Sequence, residues 1–576
     1  MKMKILLYIS VIFTVGCQSV TDSDDKVVEN DFSDTNTQSN VETDTESQTD
    51  TQDTLETETE TEGNNTQGAT ETVTETETEN FAPVASISVD TPSGEQAPVT
   101  VLFSAEYSTD DQAIVQYDWL INGQSFSDEL VSYSFDEAQI YNIVLTVTDA
   151  AGENNTITIP FEVINPEPQI FRGLLPTMGE QGVVDEIKTQ YDAWKEKYLV
   201  TRPGIVPMQK FVWYKVDERF EDWADNKRAV TVSEAHGYGM LILANMAAID
   251  DQHDTDVKSD FDAMVNYLNS FPSSIDSRLM SWMQWTDGID KLTGEGSITD
   301  VIDAADGDSA IDGDMDIAYA LLIADKIWGS DGAVDYKTKA LSVIHGILES
   351  TVHPTENVLL LGDWVNPNSS TYGKATRASD FMLQHLRVFA KVDVENSERW
   401  LQVLEKTIDI YKNNVNNFSN NTGLVADFLI HNSVSGQYEP SPANFLESDY
   451  DGDYYYNSAR VPWRLAMDYL YGDDDSVVNE LEILNNWIRT DSGNDPEEIY
   501  PGYTLNGNKL DTSYIDLTFS APFVVSASID LNNQQWVDDL WEHLSDQNNP
   551  VKYDFYFGNS IRLLSIISAG GQWVVP

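Results

Sequence analysis

Basic residues are scarce in this chain. Its 576 residues carry 32 Lys plus Arg against 97 Asp plus Glu, a formal net charge of −65. A surface this acidic repels nucleic acid and anionic membranes, and it favours neutral or cationic ligands. Cysteine is scarcer still. The single Cys17 excludes an internal disulfide framework. The seven histidines (236, 253, 345, 353, 385, 431 and 543) show no HExxH and no other tight ligand spacing. A phosphate-binding glycine loop and a GxSxG elbow are both missing. Neither a metal nor a cofactor is therefore expected.

Long apolar runs are also lacking. The run Ile5 to Val15 is too short to span a bilayer as a permanent helix. Lys2 and Lys4 precede it and Gly16-Cys17 follows, the pattern of a secretory signal over residues 1–17. Thr14-Val15-Gly16-Cys17 resembles a bacterial lipoprotein box, with threonine where leucine is usual. The resemblance implies lipidation of Cys17 and an anchor in the envelope membrane. Residues 18–80 then collapse to Thr, Glu, Asp, Ser, Asn and Gln. From Thr21 to Asn80 there are 19 acidic residues and one lysine. Such a segment cannot bury enough apolar surface to offset its conformational entropy, so a disordered, self-repelling stalk is expected.

Residues 81–165 alternate instead. Val101, Phe103 and Ala105, then Ile114, Tyr117 and Trp119, then Ile143, Leu145 and Val147 recur at strand spacing, with Asn122-Gly123 and Ala151-Gly152 as turns. An all-β sandwich follows. Gln116-Tyr-Asp-Trp-Leu-Ile-Asn-Gly123 and Tyr141 to Gly152 resemble a PKD domain, an immunoglobulin-like module. The segment holds 13 Asp plus Glu and no Lys or Arg, and a rigid spacer is the expected role.

Two prolines in Asn165-Pro-Glu-Pro-Gln169 mark a boundary, and residues 170–576 form one long region. Its periodicity is helical: Val183, Val184, Ile187, Tyr191, Trp194 and Tyr198; Ile317, Ala320, Leu321, Ala324 and Trp328; Leu401, Leu404, Ile408 and Tyr411. No alternating βα units appear. An all-α region of this size must close helical hairpins around a core, and a ring of them does so.

Within it, carboxylates stand among aromatics, the means by which proteins grip sugar rings and break the bond between them. Ser233-Glu-Ala-His-Gly-Tyr-Gly-Met240 sets Glu234 after Ser233, a candidate N-cap, with Gly237 and Gly239 opening the far side of the turn. Ala310-Ile-Asp-Gly-Asp-Met-Asp316 opens a strong helix with Asp312, Asp314 and Asp316, more acid than capping needs. Leu279 to Trp285 and Leu361-Gly-Asp-Trp364 place tryptophans in loops.

Together these stretches resemble the signature regions of glycoside hydrolase family 8. Asn457-Ser-Ala-Arg-Val-Pro-Trp-Arg464 and Tyr556 to Leu564 extend the match through essentially all of 170–576; Ile311 departs from the usual Ser or Thr. The resemblance implies an (α/α)6 barrel with an open cleft. It also implies inverting hydrolysis of β-1,4-linked polysaccharide: glucan, mixed-linkage glucan, chitosan or xylan. By position Glu234 matches the general acid, and Asp312 the aspartate that holds the sugar at the cleavage subsite.

Asn457 is a departure. One subgroup has its general base there, and an amide cannot accept a proton from water at neutral pH. The acidic loop Asn444-Phe-Leu-Glu-Ser-Asp-Tyr-Asp-Gly-Asp453 lies just upstream and resembles the subgroup with a loop glutamate as base, chitosanases and lichenases among them. Glu447 is the choice for that role, with Phe445 and Leu446 to anchor it; Asp449, Asp451 and Asp453 remain open, as does a calcium-binding loop. Trp282, Trp285, Trp364 and Tyr456 are candidates for sugar stacking, Arg460 for orienting water or a hydroxyl, and Asn457 for touching substrate. A monomer acting on polysaccharide is expected. A catalytically inactive binding lipoprotein, or a lyase or epimerase on the same scaffold, stays open. If Cys17 carries a lipid, Cys17→Ser moves the protein from the membrane to the soluble fraction on cell fractionation; equal membrane retention sinks the anchor.

Overall fold

The computed structural model describes residues 80–576 apart from 92, 98, 165–170, 203, 215–227, 251, 287–291, 294–296, 299–302, 305–306, 473 and 546–555. The expected signal, Cys17 and the stalk lie outside the described residues. Among the described residues, those up to 164 and those from 171 on cluster as two separate compact units.

The described residues of the first unit form eight strands in two sheets: β1 (Ser88–Val89), β2 (Glu95–Gln96), β3 (Val99–Ser104), β4 (Ile114–Ile121), β5 (Gln124–Phe126), β6 (Leu130–Phe135), β7 (Gln139–Asp149) and β8 (Asn154–Ile164). Their orders are β1-β3-β6 and β2-β8-β7-β4-β5. Alternation decides which side chains meet. Tyr141, Ile143, Leu145 and Val147 of β7 face Val101 and Phe103 of β3 across one core, with Trp119 and Phe135. A register shift between Ile114 and Gln116 lets Ile114 join Tyr117 and Trp119 against that core, although strict alternation would turn it outward. Asn122 and Gly123 both have positive φ, 48° and 77°, the two-residue turn that closes the β4–β5 hairpin.

The second unit is helical. Its described residues form twelve α-helices: α1 (Glu180–Tyr198), α2 (Ser233–Ile249), α3 (Val257–Leu268), α4 (Ile311–Trp328), α5 (Tyr336–Ser350), α6 (Leu383–Val392), α7 (Ser397–Phe418), α8 (Val461–Gly472), α9 (Val478–Asp491), α10 (Leu517–Ala527), α11 (Gln534–Ser545) and α12 (Tyr556–Ala569). The even-numbered helices pack side by side, α2 on α4, α4 on α6, α6 on α8, α8 on α10, α10 on α12, and α12 back on α2. Each odd-numbered helix lies against an inner neighbour. The arrangement is consistent with an (α/α)6 barrel.

Composition explains the sorting. α2 is buried from Ser233 to Ala247, and α4 from Ile311 to Ala324; a helix apolar on every side belongs inside. α1 buries only Val183, Ile187, Gln190, Tyr191, Trp194 and Tyr198, one stripe at three- and four-residue spacing. On α7 the stripe is Trp400, Val403, Leu404, Thr407 and Tyr411, and Leu401, expected in it, is 49% exposed. Trp400 takes the inward position one residue earlier.

Two expectations about the start of α2 are corrected. Ser233 is not the N-cap. The strand Arg228–Val232 runs straight into the helix, Val232 holds the cap position in extended conformation, and the Ser233 amide donates to the Trp282 carbonyl at 2.8 Å. Nor do Gly237 and Gly239 open a face. A Cβ at Gly237 would lie 2.8 Å from Asp316 Cβ, and one at Gly239 2.4 Å from Val212 Cγ2. These glycines let α2 pack closely on α4 and on the strand Gln209–Val212. Trp285 is likewise in a strand, Met283–Thr286, paired antiparallel with Arg228–Val232, and Trp282 directly precedes it.

Gly313 is pressed against the backbone at the start of α2. A Cβ there would stand 2.5 Å from the Ser233 carbonyl carbon and 2.7 Å from the Glu234 amide nitrogen. Gly313→Ala is expected to wedge α4 from α2, costing about 1–3 kcal/mol as overpacking does. A lowered melting temperature with a larger loss of activity than of substrate affinity is the expected pair of readings. A variant with unchanged melting temperature refutes the wedge.

Candidate active site

The N-terminal ends of α2, α4, α8 and α12 meet at one end of the helical unit, and each brings a side chain. Glu234 stands in the first turn of α2, Asp312 in the first turn of α4, Arg460 in a 3-10 turn leading into α8, and Tyr556 at the start of α12. Arg460 is 1% exposed and touches both Glu234 and Asp312. Its Nη1 donates to Glu234 Oε2 at 2.5 Å, to the Tyr238 hydroxyl at 3.0 Å and to Asp312 Oδ2 at 3.1 Å. Its Nη2 donates to Asn457 Oδ1 at 2.9 Å. The Tyr556 hydroxyl donates to the other Glu234 oxygen at 2.8 Å.

Asn457 joins this group to the acidic loop. Its Nδ2 donates to Glu447 Oε2 at 2.9 Å. A chain of hydrogen bonds thus runs Glu447–Asn457–Arg460–Glu234, and two residues stand between the two glutamates. Arg377, from the short strand Thr376–Arg377, braces the same assembly. It pairs with Asp312 at 3.1 Å, with Asp380 at 3.4 Å and, more loosely, with Glu447 at 3.7 Å.

Burial sets the protonation. It pushes the Glu234 carboxyl up to about 7, against Arg460, which pulls it down, and with Asp312, whose charge adds to the rise. It pushes Glu447 up to about 8, although Arg377 and the Asn457 amide favour the anion. Burial acts on Asp312 too, but Arg377 and Arg460 overcome it and hold that carboxyl down to about 2. Asp312 is therefore an anion throughout the neutral range. Glu234 and Glu447 remain slightly open, with 11% and 16% of their side chains accessible.

The acidic loop is organised by Asp451, which is 1% exposed. Its carboxylate accepts from the backbone amides of Leu446, Glu447 and Ser448 at 2.7, 2.9 and 2.8 Å. Asp449 lies outside, bonded to the Asn444 amide group. Asp453 is partly buried. On the other side, Asp427 accepts from the amides of Tyr455, Asn457 and Ser458 and from the Ser458 hydroxyl. It fixes the turn that presents Asn457 and Arg460. Burial lifts it to about 6 despite those bonds.

The remaining motifs take varied places. Asp316 pairs with Arg464 and with His385 at 3.1 Å, and Asp314 accepts from the Met280 amide at 2.8 Å. Asp363 accepts from the Ser309 amide at 2.7 Å, tying the Leu361–Trp364 turn to the approach of α4. Trp282 is 9% and Tyr456 7% exposed, and the Tyr456 hydroxyl lies 3.1 Å from both Tyr514 and Asp516. Trp285 and Trp364 are only partly buried and offer ring surface. Arg377 and Asp427 had no sequence signal of their own, and Tyr238 stood in the Ser233–Met240 motif without a role. Tyr556 stood in the Tyr556–Leu564 motif without a role. Among the described residues no group of three His, Cys, Asp or Glu side chains could hold a metal ion, and no helix is long and apolar enough to cross a membrane.

Known proteins resemble this assembly. The sequence model for glycosyl hydrolases family 8 matches residues 178–571. A beta-glucanase from Niallia circulans is 37% identical over 400 residues, 69% of this chain and 87% of the relative. An endoglucanase from Bacillus sp. (strain KSM-330) is 32% identical, over 71% of this chain and 81% of its own. Among solved structures, a beta-1,3-1,4-glucanase from Paenibacillus sp. X4 superposes with a TM-score of 0.61 at 35% identity, covering 70% of this chain and 96% of that one. A xylanase from Teredinibacter turnerae, at 19% identity and a TM-score of 0.52, covers 69% of this chain and 95% of its own and shares the fold. The chain belongs to glycoside hydrolase family 8, and it is a glycoside hydrolase of the endo-glucanase type.

Proposed function

We propose that the chain cleaves β-1,4 bonds inside glucan, mixed-linkage β-1,3-1,4-glucan first, by inversion, with Glu234 as general acid and Glu447 as general base. The observation that carries the reading is the bonded series Glu447–Asn457–Arg460–Glu234, with a desolvated carboxyl at each end. The choice of glucan over chitosan or xylan rests on the two glucanases at 35% and 37% identity.

Inversion needs an acid to protonate the leaving oxygen and a base on the opposite face of the sugar to activate water, with room for that water between. Glu234, held through both oxygens by Tyr556 and Arg460, can donate from a fixed position. Glu447 accepts the proton from water, and Asn457 aims its carboxylate. The anionic Asp312 holds a sugar hydroxyl and faces the positive charge that develops on the ring. Asn457, a poor base itself, acts here as the base's positioning partner. That role speaks against the binding-only alternative, whose support was the missing base at this position. Trp285 and Trp364 are the aromatics with ring area to stack on sugars. Residues 170–576 are the catalytic domain in this reading, and residues 81–165 a PKD-like spacer on a lipid-anchored stalk.

Glu234→Gln and Glu447→Gln should each lower turnover about 10²–10⁴-fold with glucan binding retained. Azide, a small anion that can stand in for a missing base, should partly restore Glu447→Gln only. Asp449→Asn should stay near normal. Asp451→Asn should lose activity through its loop and gain nothing from azide. A dead Asp451→Asn that azide restores, beside an active Glu447→Gln, would move the base to Asp451.

The reactive form of the site carries one proton, on Glu234, with Glu447 ionised; because burial raises Glu447 above Glu234, it is the minor of the two singly protonated forms. Below about 7 both hold a proton and no base is available; above about 8 neither does and no acid remains. The profile of kcat/KM on soluble mixed-linkage glucan should be a narrow bell with its top between those limbs. Glu447→Gln should lose one limb. An optimum near pH 4–5, where ordinary carboxylates titrate, contradicts the desolvated pair.

A further inference from the structure

Behind the base loop lies a second cavity, of about 820 Å³, walled by the α5–α6 and α7–α8 connections. None of Glu234, Asp312, Arg377, Glu447, Asn457 and Arg460 lines it. Its volume falls within the range of ligand pockets, roughly 300–1,000 Å³. Its charge sets it apart from the rest of this acidic chain. The acidic and basic side chains on its wall, Glu356 and Lys374, are paired with each other at 2.9 Å. The other polar groups are hydroxyls, an amide and imidazoles, among them Asn368, Thr371, His431 and Ser433. Phe445 supplies an aromatic face.

The wall is set before any ligand arrives. His353 Nδ1 accepts from the Thr355 and Glu356 amides at 3.3 and 3.1 Å, and Ser369 Oγ accepts from those of Thr371 and Tyr372 at 3.2 Å. His431 packs edge-on to Tyr438, with ring centroids 5.4 Å apart. Fixed donors and acceptors beside one aromatic ring, with the one lysine and the one carboxylate closed on each other, suit an uncharged polyhydroxylated ligand. An anion would find its one lysine already paired, and a cation its one carboxylate. Phe445 also touches Tyr372, with centroids 5.3 Å apart, and Tyr372 touches Trp364 at 5.4 Å. A row of rings thus leads from the cavity to one of the candidate stacking residues of the cleft.

We infer that this cavity is a second binding site for glucan, which holds a chain segment apart from the point of cleavage. The inference rests on the glucanase reading for the identity of the sugar. The test is calorimetric titration of the full-length Glu234→Gln protein, with Glu447→Gln as a second inactive background, using a mixed-linkage β-glucan tetrasaccharide. Two molecules should bind per chain. Ser433→Trp, which fills the cavity from an exposed position, should leave one. Asn368→Ala with His431→Ala should weaken the second site about ten-fold, as loss of one or two neutral hydrogen bonds does. In the active protein the same variants should leave cleavage of a short soluble substrate unchanged and raise KM for the polymer. One bound molecule per chain, or two that survive Ser433→Trp, overturns the site. Glucan hydrolysis measured alongside separates the two readings. If hydrolysis persists with a single bound molecule, only the second site falls; if there is neither hydrolysis nor binding, both fall.

Discussion

The helical unit depends on one buried cation. Arg460 sits where four inner helices converge, and its guanidinium ties Glu234 of α2 and Asp312 of α4 to Asn457 at the approach to α8. A charge this deep is tolerated only when paired and fully hydrogen-bonded. Arg377 is the second cation of the cluster, and both share Asp312. Around two guanidiniums stand four carboxyls: Asp312, Asp380, Glu234 and Glu447. Burial drives the last three up, Asp380 to about 6, Glu234 to about 7 and Glu447 to about 8. The order has a simple cause. Two anions balance two cations, and every further ionisation adds net charge to a dry site. The cluster therefore keeps a proton for chemistry at neutral pH because it has more acids than cations.

One turn below, the same two helices repeat the contact. Asp316 follows Asp312 by four residues on α4, and Arg464, on α8, follows Arg460 of the preceding 3-10 turn by four. They meet through both guanidinium nitrogens, with His385 of α6 on the same carboxylate. Buried pairs of this kind add little net stability, yet losing one partner strands a charge. Two rungs a turn apart fix the rotation of α8 against α4 as one rung cannot. Gly237 lies against the Asp316 Cβ, so the lower rung also sets how closely α2 approaches.

Much of this was legible where the signal is local. Glu234 and Asp312 are recognisable because each opens a helix within a short motif, and α2 and α4 continue from those motifs in long apolar runs. The loop carrying Glu447 was found because Asn457 stands where a base is expected. What sequence could not supply was partnership. Arg460 lies 226 residues from Glu234, and Tyr556 lies 322 residues from it. Asp427 reads as an ordinary loop aspartate until five polar contacts converge on it. The error at Ser233 has a related origin. Serine before a helix suggests a cap, but here a paired strand delivers the chain in extended form and Gly313 presses on the serine backbone.

The acid and the base are held by different means. Glu234 belongs to a helix buried on every side, and its position follows from the packing of α2, α4 and α12. Glu447 belongs to a loop that closes on itself: Asp451 binds three successive backbone amides, and the aromatic pair Phe445 and Phe428 fastens it below. Loops on a rigid scaffold can change without disturbing the core. The Glu447 loop can therefore vary in length and composition at little cost to the barrel, provided something near Arg460 still orients the base. Asn457 meets that condition by bonding to both Arg460 and Glu447. An aspartate there would add a fifth carboxyl beside two cations and press against Glu447. An amide supplies the bridge without the charge.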